Sequence, residues 1–175
     1  MAVNRDFVIM VQDIISHPEF QKTKDIIHHG KSNNVYTHSV ATAHFAYRIA
    51  KRLDLSAEDT ASITRAALLH DFVGYDWRDG KPDNIKYRGL KRIWHSHLFE
   101  HGFSAARNAS FHFELTDRQR DAIRKHMFPL VPMLPKYKEG WIVTYCDKVV
   151  AAREMFLCVT DKIQPLFERR RPAFA

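Results

Sequence analysis

Ala66-Ala67-Leu68-Leu69-His70-Asp71 is an apolar run closed by two ionisable side chains, and Phe72-Val73-Gly74-Tyr75-Asp76-Trp77 follows it. Burying such groups costs free energy unless they are paired or bind a metal, so the pair asks for a partner. Adjacent residues on an α-helix point about 100° apart, yet at a helix end an imidazole and a carboxylate can still converge on one ion. His38, His101, His126 and Asp147 stand where other helices can bring them to the same place. With His70 and Asp71 they make six candidate ligands of one metal site.

The composition sets outer limits. A chain of 175 residues with 45% hydrophobic and 27% charged content is expected to form a single soluble domain, 1–175. The formal charge of +7 favours anionic partners: nucleotides and phosphate esters first, nucleic acid as the lesser reading. Eleven histidines stand against two cysteines. Cys146 and Cys158 are too few for a disulfide scaffold and lack metal-ligand spacing, which points to a reducing compartment. Asp6 and Asp13 interrupt an N-terminal stretch that is too short in apolar residues for a signal peptide. No run of about 18 apolar residues is present to span a membrane. The expected location is cytoplasmic, and the sequence leaves the oligomeric state open.

Outward from the central pair, the chain divides into N-terminal packing helices (1–34) and a core (35–155). Phe7, Met10, Val11, Ile14 and Ile15 recur at helical spacing and predict an opening helix that ends near His17-Pro18. Pro18 suits the first turn of a second helix, read through Phe20 and Ile26-Ile27 and stopped by Gly30. His17, His28 and His29 flank these elements and are assigned no site role. Lys31-Ser32-Asn33-Asn34 is a turn with candidate N-caps. From Val35 to Leu53, the positions Val35, Ala41, Phe45, Ile49 and Leu53 are read as one apolar face that also carries His38 and Thr42; His44 falls off it and is read as solvated. Ser56, Glu58 and Asp59 open the next helix, whose buried face runs through Ile63, Ala66 and Ala67 to His70. Thr116-Asp117 begins a helix with Ala122 and Ile123 buried and His126 at its end. Pro129, Pro132 and Pro135 hold a connector that cannot be helical throughout. The last helix buries Ile142, Val143, Cys146, Val149, Val150 and Ala151 with Asp147 beside that face. An unpaired aspartate there would be costly. A metal ion or a salt bridge to a nearby Lys or Arg would each account for it.

A helical histidine at 38, His70-Asp71 some thirty residues later, and a distant Asp147 within Tyr145-Cys146-Asp147-Lys148-Val149 resemble the HD-domain superfamily of metal-dependent phosphohydrolases. The resemblance runs from about Val35 to Met155. It implies an all-α helical bundle of about six to eight helices, with His38, His70, Asp71 and Asp147 on a metal. In two-metal members an additional histidine precedes a helix of small residues, here His101 before Gly102-Phe103-Ser104-Ala105-Ala106, and a further one ends the next helix, here His126. One departure bears on substrate. Members that hydrolyse cyclic dinucleotides often carry Gly-Lys shortly after the His-Asp pair, whereas this chain has Val73-Gly74. That shifts the expectation toward nucleotides or other small phosphorylated metabolites.

Between Tyr75 and Leu98 the periodicity fails, and a stretch this long inside a compact domain is usually functional or mobile. Residues 72–97 are therefore read as a lid, with solvated insertion as the plain alternative. Arg78 and Lys81 are candidates to grip phosphate oxygens. Trp77 is a candidate to stack on a base. His97 is one for a substrate contact, being four residues from His101 on one helix face. Mixed imidazole and carboxylate ligands suit one or two divalent transition ions (Mn, Fe, Zn, Co or Ni) better than calcium. Asp71 would offer one oxygen to each of two ions and so act in catalysis. Asp76 is the candidate acid or base.

The expected reaction is hydrolysis of a phosphoester or phosphoanhydride bond by metal-activated water. Two other classes compete: a di-iron oxygenase built on the same six ligands, and a non-catalytic module that binds a phosphorylated ligand or nucleic acid. Oxygen consumption with iron would mark the first. Ligand affinity that survives Asp71→Ala would mark the second.

Overall fold

Asn34 starts the helix that carries His38. Its side chain accepts from the Thr37 amide at 2.8 Å and the Thr37 hydroxyl accepts from the Asn34 amide at 3.3 Å, a reciprocal cap that satisfies two orphan donors. Ser56 caps the next helix through the Asp59 amide at 3.1 Å, and Thr116 and Gln119 form a second reciprocal cap. The computed structural model describes residues 5–28, 33–74 and 97–168. Among these residues the chain is all-α, with seven α-helices and no strand: α1 Arg5–Ile15, α2 Pro18–Gln21, α3 Val35–Arg52, α4 Ala57–Leu69, α5 His97–His112, α6 Asp117–Lys125 and α7 Lys138–Glu168. Among them, no helix is long and apolar enough to cross a membrane.

α4 is the axis of the bundle, packing against α1, α3, α5, α6 and α7. Its last turn and the residues after it, 66–73, are buried without exception. A helix surrounded on all sides loses its polar face, which is why this run is apolar nearly throughout. α1 docks on α4 through Phe7, Val11 and Ile14. Arg65 ties the two helices, donating to the Met10 carbonyl at 3.0 Å and to both Asp13 oxygens at 2.6 and 2.8 Å.

Several expectations need correction. The second helix stops at Gln21, passes through a 3-10 turn (Lys22–Lys24) and gives way to an antiparallel bridge between Ile27 and Asn34. The connector therefore folds back on itself instead of continuing as helix to Gly30. On α3 the buried stripe is Val35, His38, Ser39, Thr42, Ala43, Ala46, Tyr47 and Ala50. Ala41 is exposed, Phe45 and Ile49 lie at the flank, and Leu53 is 57% exposed. Small residues face the neighbours because α3 lies close to α4 and α7, and the bulky ones fill the margins. His44 is half-buried and meets the Phe7 ring edge-on at 5.3 Å, so it is a packing residue. Phe72 and Val73, read as the start of a lid, belong to the core: Phe72 sits among Phe20, His112 and Phe113. α7 runs on as helix to Glu168, past the 35–155 core.

Candidate metal centre

His70 and His126 are placed by the same local device. Each is the C-cap residue of its helix, α4 or α6, where backbone carbonyls lack intrahelical partners. The Nδ1–H of His70 donates to the Ala67 carbonyl, and that of His126 to the Ile123 carbonyl, both at 2.7 Å. The bond fixes the tautomer and leaves Nε2 pointing inward with a lone pair. His38 reaches the same arrangement from the first turn of α3: its Nδ1–H donates to the Glu154 carboxylate at 2.9 Å, one face of α7 meeting one face of α3. His101, one turn into α5, brings its Nε2 to 2.7 Å from Asp71 Oδ1.

Asp71 and Asp147 lie among these rings. Asp71 Oδ1 is 3.4 Å from both His70 Nε2 and His126 Nε2, and its Oδ2 is 3.7 Å from His38 Nε2. Asp147 Oδ1 is 3.2 Å from His38 Nε2 and 3.5 Å from His70 Nε2. All six side chains expected at the site therefore meet in one place, buried except for the partly exposed His101. Asp147 also has the salt bridge weighed against a metal: Lys148 Nζ pairs with Oδ2 at 2.7 Å while Oδ1 faces the histidines. The salt bridge is present, and it leaves Oδ1 turned to the histidines.

The electrostatics are those of a cation cage. Burial works against charge on Asp71, but the neighbouring His70, His101 and His126 rings hold its carboxyl well below the usual range. Burial likewise opposes the charge on Asp147, and His38 and His70 override it, again well below. His126 goes the other way: burial pushes it down and favours the neutral ring a metal requires. Burial also opposes the charge on His38, yet its bonds to Asp147 and Glu154 raise it to about 10.

Whether these residues fit a metal turns on His70. Its Nε2 is fully buried, has no hydrogen-bond partner among the described residues, and faces two carboxylates. A ring nitrogen aimed at two carboxylates needs a proton or a metal ion between them. Donors about 2.1 Å from one ion stand about 3.0 Å apart at right angles and about 3.4 Å apart at the tetrahedral angle. The spacings here, from 2.7 to 3.7 Å, bracket those values. The residues fit a divalent transition ion.

Two residues without an assigned role also reach the site. His28, read as a flank of the packing helices, sits with Nε2 3.0 Å from Asp71 Oδ2 and its ring stacked on His38 at 4.0 Å. Glu154 lies seven residues after Asp147, two turns along the same face of α7, and that spacing was a readable signal. For His28 no sequence signal existed, because the folded-back connector places it. Asp76, Trp77, Arg78 and Lys81, and with them most of the 72–97 lid, lie outside the described residues. His97 is the first residue of α5, and its side chain is likewise outside them.

A cavity of about 490 Å³ opens over the site, floored by Asp71, His101, His126 and Asp147. Its described walls are largely apolar, with Ile26, Ile27, Met127, Leu130 and Met155, and Lys148 stands beside the carboxylates. Among known families, the model of the HD domain matches residues 35–152; no curated protein matches the chain.

Proposed function

The chain belongs to the HD-domain family, and on that premise we propose that it hydrolyses a phosphoester or phosphoanhydride bond of a nucleotide or other small phosphorylated metabolite. The observation that carries this reading is the meeting of four imidazole Nε2 atoms and two carboxylates at and beneath the floor of a cavity sized for a small ligand. His38, His70, Asp71 and Asp147 would hold one divalent ion, and Asp71, His101 and His126 a second. When bound, such ions supply Lewis-acid polarisation of a phosphoryl oxygen and a lowered pKa for an attacking water.

The chain's own residues do the rest. Asp71 turns Oδ1 to His101, His126 and His70 and Oδ2 to His38, so it would be able to offer one oxygen to each of two ions. Glu154 and the Ala67 and Ile123 carbonyls hold three rings in the tautomer that presents Nε2. Lys148 adds a positive charge at the cavity wall, where a substrate phosphate would lie. The apolar walls exclude water and so strengthen these charge interactions. In this proposal Arg78 and Lys81 bind phosphate oxygens, Trp77 and His97 contact the substrate body, and Asp76 transfers the proton.

The test is phosphate release from a panel of nucleotides, sugar phosphates and aryl phosphates, with Mn, Fe, Co, Ni or Zn supplied and then chelated. Release that depends on the metal and proceeds without oxygen supports the proposal. Oxygen consumption with iron, or no turnover with any metal, contradicts it.

A further inference from the structure

His28 belongs to the connector before α3, outside the residues that match the family model, and Glu154 lies just beyond their other end. His28 nevertheless closes on the oxygen of Asp71 opposite the one that faces His101 and His126, and Glu154 stands behind His38. His28 Nε2 stands 3.0 Å from Asp71 Oδ2, the separation of two donors at right angles about one ion. Its ring lies parallel to His38 within 23° and 4.0 Å, so the two imidazoles present Nε2 atoms to the same side. Glu154 Oε2 accepts from His38 Nδ1 at 2.9 Å and lies 3.8 Å from His28 Nδ1, outside hydrogen-bond range. An outer carboxylate on the far nitrogen is the usual support of a metal-ligating histidine.

We propose that His28 is a seventh protein ligand of the centre, joining His38, His70, Asp71 and Asp147 on one divalent transition ion. Glu154 is then the positioning residue that fixes the tautomer of His38, the ring stacked on His28. The inference rests on the metal-centre reading and adds to it. Four protein ligands suit a tetrahedral ion, whereas a fifth favours the higher coordination of Mn, Fe or Co. The bridge between Ile27 and Asn34 would then have a purpose, since it pins the connector that delivers the ring. Hydrogen bonding to Asp71 alone is the competing role.

The test uses the full chain loaded with Co²⁺. In the wild type, proton spectra should show five strongly shifted, exchangeable imidazole N–H signals, from His28, His38, His70, His101 and His126; four would overturn the proposal. His28→Gly should weaken the ion by at least about 10-fold in a chelator competition, alter the visible Co²⁺ bands, and recover both on addition of free imidazole. Unchanged affinity and bands in a folded His28→Gly would overturn it as well. Glu154→Gln should lower affinity by a smaller factor, within the roughly 10–100-fold known for outer-sphere partners. Should the wild type bind no Co²⁺ at all, the metal-centre reading itself fails, an outcome distinct from loss of His28 alone.

Discussion

His70 Nε2 lies 3.5 Å from Asp147 Oδ1 while the other nitrogen of the ring is committed to the Ala67 carbonyl. A ring nitrogen and a carboxylate oxygen facing each other at that distance need a proton or a metal ion between them, and the metal-centre reading puts an ion there. Asp147→Asn keeps the shape and removes the charge. It should reduce Mn²⁺ or Co²⁺ affinity by more than about 100-fold, beyond the loss typical of an outer-sphere partner. Titration against a fluorescent chelator measures this, and an affinity within a few-fold of wild type would refute it.

Gly102 follows His101 at the crossing of α5 and α6, where an added Cβ would overlap the Arg124 carbonyl oxygen. Backbone cannot yield as a side-chain tip can, so Gly102→Ala should push the helices apart and cost about 1–3 kcal/mol of stability. It should also separate His101 from His126 and weaken the ion they hold. Chemical denaturation together with metal stoichiometry tests both effects. A variant of wild-type stability that keeps its full metal content would show that the close approach is not needed.

The sign of the pH dependence follows from His38. Burial opposes its charge and the bonds to Asp147 and Glu154 override this, raising it from 6.5 to about 10. In the metal-free chain that stabilisation is fully present below 6.5 and is lost as pH rises through about 10. A metal needs the deprotonated nitrogen, so its affinity should rise over the same window and its binding should release protons. Thermal melts with and without chelator between about pH 6 and 10 should diverge as pH increases. Parallel curves would contradict this linkage.

Lys148 Nζ is 2.7 Å from Asp147 Oδ2 and 3.3 Å from the His126 carbonyl, at the edge of the cavity. Lys148→Met should leave metal content intact and reduce phosphate-ester hydrolysis by about 10–100-fold, somewhat less than loss of a fully aligned transition-state donor. Retained activity would mean that the lysine only neutralises Asp147, and metal loss that it supports the ion.

How much of this was legible varies with its physical origin. His70, Asp71 and Asp147 stood out because an ionisable group within apolar surroundings needs a partner, and the capping residues Asn34, Ser56 and Thr116 announced their helices through local hydrogen bonds. The face of α3 is not legible from its large apolar residues, which do not mark the interior. Close helix packing instead buries Ala43, Ala46 and Ala50 and leaves Leu53 outside. His28 was hidden for a different reason. Its place depends on a chain reversal fixed by one bridge, and no periodicity in the sequence records a tertiary contact of that kind. Glu154 reads as an ordinary helix charge until its two-turn spacing from Asp147 is noticed.

The most direct test of the central claim is anomalous diffraction from crystals of the full chain grown with Mn²⁺ or Zn²⁺. The account predicts a strong peak about 2.0–2.3 Å from His70 Nε2 and Asp147 Oδ1, with occupancy lost in Asp71→Ala. The absence of any peak among these residues at saturating metal, or a peak only elsewhere on the molecule, would contradict it.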